Sequence, residues 1–159
     1  MMRIINTTFL VIIFLCFHTS ITCCQSVAVE NDLEFGQIFP GVPKSIDKVS
    51  VGNAAEFSVS GTTDAEVEVI FTLPTYMHTT GANMQMIFYE TDCSMDSSAT
   101  PDQSNPLYDD LNPWSTLTYG LNSSGELLIW LGGTVVPGLD QKSGSYTATI
   151  VITVTETGN

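Results

Sequence analysis

The chain has 159 residues, 43% of them hydrophobic, with 17 acidic side chains against 4 basic ones and a formal charge of −13 at pH 7. That length suits one domain with a sizeable core. So acidic a surface repels phosphate backbones and anionic headgroups and favours solubility, which excludes nucleic acid as an expected partner.

The N-terminal 24 residues read as an export signal. Arg3 sits in a short polar stretch, residues 9–17 form the apolar run FLVIIFLCF, and small and polar residues follow before Gln25. The run is too short to span a bilayer, which takes about 20 apolar residues to cross ~30 Å of hydrocarbon. His18, Thr19 and Ser20 also interrupt it. Cleavage is expected after Cys24, leaving residues 25–159 as a single domain without a transmembrane segment. A lipid anchor on Cys23 or Cys24 is the less favoured alternative, because the residues before them fit a lipoprotein context poorly. Losing 1–24 removes Cys16, Cys23, Cys24 and His18, and leaves Lys44, Lys48 and Lys142 as the basic side chains. Cys93 is then expected as a free thiol, and only a retained Cys24 would offer it a disulfide partner.

From Val27 onward the chain is rich in Val, Ile, Thr, Phe and Tyr, which predicts strands throughout. Short strands are expected at 33–35 and 49–51, separated by the proline-bounded turn at 39–43. Longer ones are expected at 55–59 (AEFSV), 66–73 (EVEVIFTL) and 84–89 (MQMIFY), each closed by Gly, Asn, Ser or Asp turn chemistry. The segment at about 91–113 collects acids, prolines, serines and asparagines, and reads as a long acidic loop inserted between two strands. Strand 126–131 (ELLIWL) follows. The clearest strand is 145–155, where Tyr146, Ala148, Ile150, Ile152 and Val154 alternate with Thr147, Thr149, Val151, Thr153 and Thr155. Short strands between such turns predict an all-β, immunoglobulin-like Greek-key β-sandwich.

Catalytic chemistry is hard to assemble from these residues, and no catalytic residue and no cofactor-binding residue is assigned. His78 stands alone, and a Cys93–His78 nucleophile is only a formal possibility. Phosphate-binding glycine loops, metal-spaced cysteines and serine elbows are missing from the sequence. In the acidic loop, Asp92, Asp96, Asp102, Asp109 and Asp110 are candidate oxygen ligands for Ca²⁺. The loop lacks EF-hand order, so a solvated acidic loop is the favoured reading and no metal is assigned. Trp114 and Tyr108 offer either an aromatic contact surface or a plug closing the loop base over the core. Asn122-Ser123-Ser124 fits a glycosylation triplet and is read first as a turn.

Leu33-Glu34-Phe35-Gly36 with Pro40-Gly41 downstream is followed by Leu131-Gly132-Gly133-Thr134-Val135. Gly144-Ser145-Tyr146-Thr147-Ala148-Thr149 then leads into Ile150-Val151-Ile152-Thr153-Val154. In order and spacing these resemble the bacterial family called domain of unknown function 4402. The resemblance covers most of the chain, from about Leu33 to Val154, and departs from the family pattern in the acidic segment 91–113. It implies an exported Ig-like β-sandwich of Gram-negative bacteria, similar in style to fimbrial subunits and spore-coat-U-like domains, with no catalytic residues to carry over.

The leading expectation is a non-enzymatic, exported structural or adhesive cell-envelope protein, in the periplasm, on the outer surface or outside the cell. It would be a fimbria-like subunit or a monomeric surface domain. Partners would be further copies or other envelope proteins, joined by β-strand pairing. For the last strand itself, an ordinary place inside the sandwich is favoured over a free edge. The alternative is an extracellular binding module that uses the acidic aromatic loop 92–114 for Ca²⁺, a glycan or a protein.

Overall fold

The computed structural model describes residues 25–157, so the expected signal segment lies outside the described residues. Those residues form twelve strands in three antiparallel sheets, with no helix among them. The composition explains this: β-branched and aromatic residues alternate with polar ones over short runs, a period of two that only a half-buried strand satisfies.

The first sheet has the order β1 (Ser26–Asn31), β3 (Ala55–Ser60), β10 (Glu126–Leu131), β7 (Cys93–Asp96) and β8 (Tyr108–Leu111). The second runs β2 (Lys44–Ile46), β11 (Gly133–Val136), β6 (Ala82–Ile87) and β5 (Tyr76–Thr79). The third is β12 (Val151–Glu156), β4 (Glu66–Thr72) and β9 (Leu117–Gly120). Inward side chains of the first and third sheets share one core: Phe57, Val59, Leu127 and Ile129 from one, Val67, Val69 and Phe71 from the other. Phe57 and Phe71 meet across it with ring centroids 6.1 Å apart. The second sheet closes one end of this sandwich-like body and adds Met84, Met86 and Val135 to the core.

Two chain features join the sheets. At Gly132 the strand running through β10 and β11 passes from the first sheet to the second, and a Cβ there would lie 2.5 Å from Ile46 O and 2.8 Å from Lys48 N. Only glycine permits so close a crossing of backbones. At Pro74, between β4 and β5, the missing N–H interrupts a ladder, because proline cannot donate. Pairing with the chain's last segment resumes beyond it at a single bridge, where His78 and Thr147 exchange N–H···O bonds of 2.8 and 3.0 Å.

Strands expected at 55–59, 66–73, 84–89 and 126–131 form within a residue or two of their expected limits. Four expectations need correction. Residues 33–35 are irregular: Glu34 makes one backbone bond, to Asn53 O, while Phe35 turns into the core. Residues 49–51 form turns, since Asp47 Oδ1 accepts from Val49 N and Asp47 O from Ser50 N. Residues 145–150 keep the alternating burial of a strand, but the break at Pro74 leaves them one bridge instead of a ladder, so β12 begins at Val151.

The acidic segment differs most. Its residues 93–96 are β7, buried at every position and paired to β10, with Cys93 and Met95 opposite Leu131 and Ile129. Residues 108–111 form β8 beside it. Between the two strands 97–107 is loop, and it is held down: Gln103 Nε2 donates to Lys48 O at 2.7 Å and Asn122 Nδ2 to Ser98 O at 3.3 Å. Three apolar or small residues, Cys93, Ser94 and Met95, set between Asp92 and Asp96, make too short a run to be read as a central strand.

Candidate functional site: an open seam between two edge strands

The five candidate calcium ligands are occupied with other work. Asp92 Oδ2 accepts from Tyr89 N at 2.7 Å. Asp96, 3% exposed, accepts from Ser98 N at 2.7 Å and Asp102 N at 3.1 Å. Asp102 Oδ1 takes Ser104 N at 2.9 Å. Asp109 and Asp110 flank Lys48 Nζ at 3.2 and 2.8 Å. Among the described residues, no three His, Cys, Asp or Glu side chains converge in a set able to hold a metal ion. The acids instead cap backbone N–H groups of their own turns, as Asp does where a chain reverses.

Charge follows these contacts. Burial alone would raise the Asp96 carboxyl, but the N–H groups donated by Ser98 and Asp102 outweigh it and hold it below the usual range. Burial wins at Asp92, which is raised despite the Tyr89 N–H and the nearby Lys48 charge. Burial would lower Lys48, but the two aspartates overcome it and hold the ammonium above its ordinary value.

Cys93 is fully buried, free, and its thiol is pushed up to about 12 by burial. A thiolate is therefore scarce at neutral pH. His78 points to solvent from a different sheet and shares its Nδ1 with Asn83 Oδ1 at 2.9 Å, so the two are not brought together. Trp114 stacks edge-on to Phe88 at 6.4 Å and donates Nε1–H to Phe88 O at 2.9 Å, while Tyr108 packs on Tyr119 at 4.4 Å. Asn122 is the turn residue it was first read as: its Oδ1 accepts from Ser124 N and Glu126 N.

The unusual place in the molecule lies elsewhere, between β1 and β12, which are edges of facing sheets. Val27 and Val29 of β1 sit opposite Val59 and Phe57 of β3. Opposed residues of an antiparallel pair share a face, so both valines are on the core side. Val59 and Phe57 are 0% and 3% exposed, yet Val27 and Val29 are 38% and 61% exposed. The layer that should cover them is missing.

The facing edge is complementary. Ile152 and Val154 of β12 pair with Phe71 and Val69 and so point inward, but they are only half-buried. Thr157 N donates to Glu66 O, and in an antiparallel ladder bonded residues alternate with residues that face the other way. The N–H and C=O groups of Ile152 and Val154 therefore face the unpaired side. Gly61 N donates to Gly125 O, and the same alternation turns the backbone groups of Val27 and Val29 outward from β3. Two bare strand edges thus confront each other across an uncovered stretch of core.

The seam is wedge-shaped. It closes where Glu156 N donates to Gln25 Oε1 at 3.2 Å. At the other end it opens into a cleft of about 810 Å³ between residues 32–40 and 141–150, floored by Met77, Met84 and Met86. Beside its mouth the turns at Phe39 and Leu139 touch through Gly41, and Phe39, Val42 and Leu139 are 61%, 56% and 90% exposed. Alternation of the last strand was visible in the sequence, whereas no strand was expected at 26–31. That these strands are edges, and face one another, was not visible.

The sequence pattern of a family described as a domain of unknown function (DUF4402) matches residues 26–155, from the first residue of β1 to within one residue of the end of β12. No curated protein matches the chain.

Proposed function

We propose that this chain, which belongs to the DUF4402 family, is a non-enzymatic, exported structural or adhesive protein of the cell envelope that joins its neighbours by β-strand pairing along the β1–β12 seam. The observation that carries this reading is the pair of core-side valines, Val27 and Val29, left 38% and 61% exposed beside an unpaired strand edge. A sandwich lacking one strand gains both hydrogen bonds and apolar burial when a strand from another chain enters it. Such a partner makes the domain a building block, in the manner of a fimbria-like subunit of a Gram-negative bacterium. A non-catalytic role is further supported by Cys93, whose thiol is sealed in the core and pushed up to about 12.

The acidic-loop alternative has less behind it, since its carboxylates are engaged by backbone N–H groups and Lys48. Export remains the reading of residues 1–24.

The test is hydrogen exchange on the protein extracted from its native envelope without denaturant. We expect oligomers in which the amides of Ile152 and Val154 exchange at least tenfold more slowly than in the isolated domain. A monomer in such extracts, with edge amides as exchangeable as in the purified chain, overturns the reading.

A further inference from the structure

We propose that the wide end of the seam is a binding site for an extended β-strand of a different protein, apolar at alternate positions and flanked by positive charge. This deepens the strand-pairing reading and depends on it. The geometry begins at Thr147, which exchanges both backbone bonds with His78. Its neighbours Tyr146 and Ala148 must then direct their N–H and C=O groups the opposite way, into the cleft. With Ile152 and Val154 this makes one continuous free edge, whose inward side chains are half-buried. A strand laid against it would complete a ladder and place every second side chain over the core.

The floor fits such a guest. Met77, Met84 and Met86 line it, and thioether side chains are unbranched and polarizable, so they repack around different apolar shapes. Recognition would then come from main-chain bonds, with loose demands on which apolar residues alternate. The edge also lacks the usual guards: residues 146–156 contain no proline, lysine or arginine, the devices that keep exposed edges from pairing.

Charge selects the guest. The cleft itself is balanced, with Asp32 and Glu34 against Lys142 and with Lys44 Nζ on Gln37 O at 3.4 Å, but the chain as a whole carries −13. A second copy brings the same negative field to the encounter, whereas a cationic segment is steered in.

The probe is a fluorescein-labelled peptide of alternating Val and Thr with two Lys at each end, titrated with the purified chain at low salt and followed by anisotropy. We expect saturable binding that weakens at least tenfold when the Lys residues become Glu, and the gap narrows as salt rises. Methylating the alternate peptide nitrogens that face residues 146–154 should also weaken binding at least tenfold. Ala148→Arg should do the same, and Thr149→Arg, on the solvent face of the same segment, should not. If Ala148→Arg does not fold, the methylated peptide still decides.

No saturable binding of the Lys-flanked peptide, or equal binding of its methylated form, overturns the proposal. So does self-association of the free chain that the peptide cannot displace. An envelope oligomer with protected edge amides that nonetheless ignores the peptide refutes the cationic partner while leaving strand pairing intact.

Discussion

Asp92 and Asp96 bracket β7 and respond to acid in opposite senses. Asp96 is lowered, so its contribution to stability is complete above the ordinary carboxylate value of 3.8 and is lost as pH falls below it through the folded pKa. Asp92 is raised by burial, so the folded protein binds that proton more readily than the unfolded chain. Its share of stability therefore increases as pH falls through the raised folded value toward the ordinary value of 3.8, and is level on either side of that window. Urea unfolding across pH 2–7 should separate them: Asp92→Asn removes the gain on the high-pH side, and Asp96→Asn removes the loss below it. Neither behaviour follows from the sequence, in which both are acids of one polar stretch. Carboxylates far apart in role looked alike because only the fold reveals which backbone N–H groups they meet. Cys93 was legible as the sole cysteine of residues 25–159, and its burial was not, because a four-residue strand leaves too little period to read.

At the scale of elements, alternation was a sound guide wherever a strand is covered on one face. In β4 the pattern of exposed and buried residues is unbroken from Glu66 to Thr72, and the expectation for 66–73 matches it closely. It failed where pairing depends on a partner's backbone. Residues 145–150 alternate as strictly as 151–156, but the partner of the former follows Pro74, so their ladder is reduced to one bridge. The last strand was expected inside the sandwich, and it lies at the edge of its sheet. Nothing in its own side chains distinguishes the two, because edge status is decided by the neighbour that is missing. Gly132 is the element-scale hinge, and Gly132→Ala drives a methyl against Ile46 O. We expect a loss of about 1–3 kcal/mol in urea unfolding, the range for overpacking a tight site, with the same residual strand content by circular dichroism.

For the whole molecule, the central feature is asymmetry of the core. Most of its perimeter is closed, by the second sheet at one end and by Tyr108 against Tyr119 between β8 and β9. The β1–β12 side is open. Two valines in paired strands measure the difference. Val59→Ala, at a fully buried position, should cost about 2 kcal/mol from lost burial and the cavity left behind. Val29→Ala, inward but 61% exposed, should cost under about 0.5 kcal/mol, as surface changes do. Similar losses at both sites would mean that β1 is covered in solution and the seam is shut.

Sequence by itself determined that this chain is all-β, that its strands lie near 55–59, 66–73, 84–89 and 126–131, and that it resembles the family to which it belongs. Those properties follow from local patterning, since side-chain period and turn residues act within a few positions of one another. Tertiary structure alone decided that the acidic segment supplies a central strand, that Gly132 carries the chain between sheets, and that β1 and β12 end as facing, uncovered edges. Each depends on which strands become neighbours across long stretches of chain. The site of proposed function is of this second kind: a missing neighbour has no residues of its own to be read.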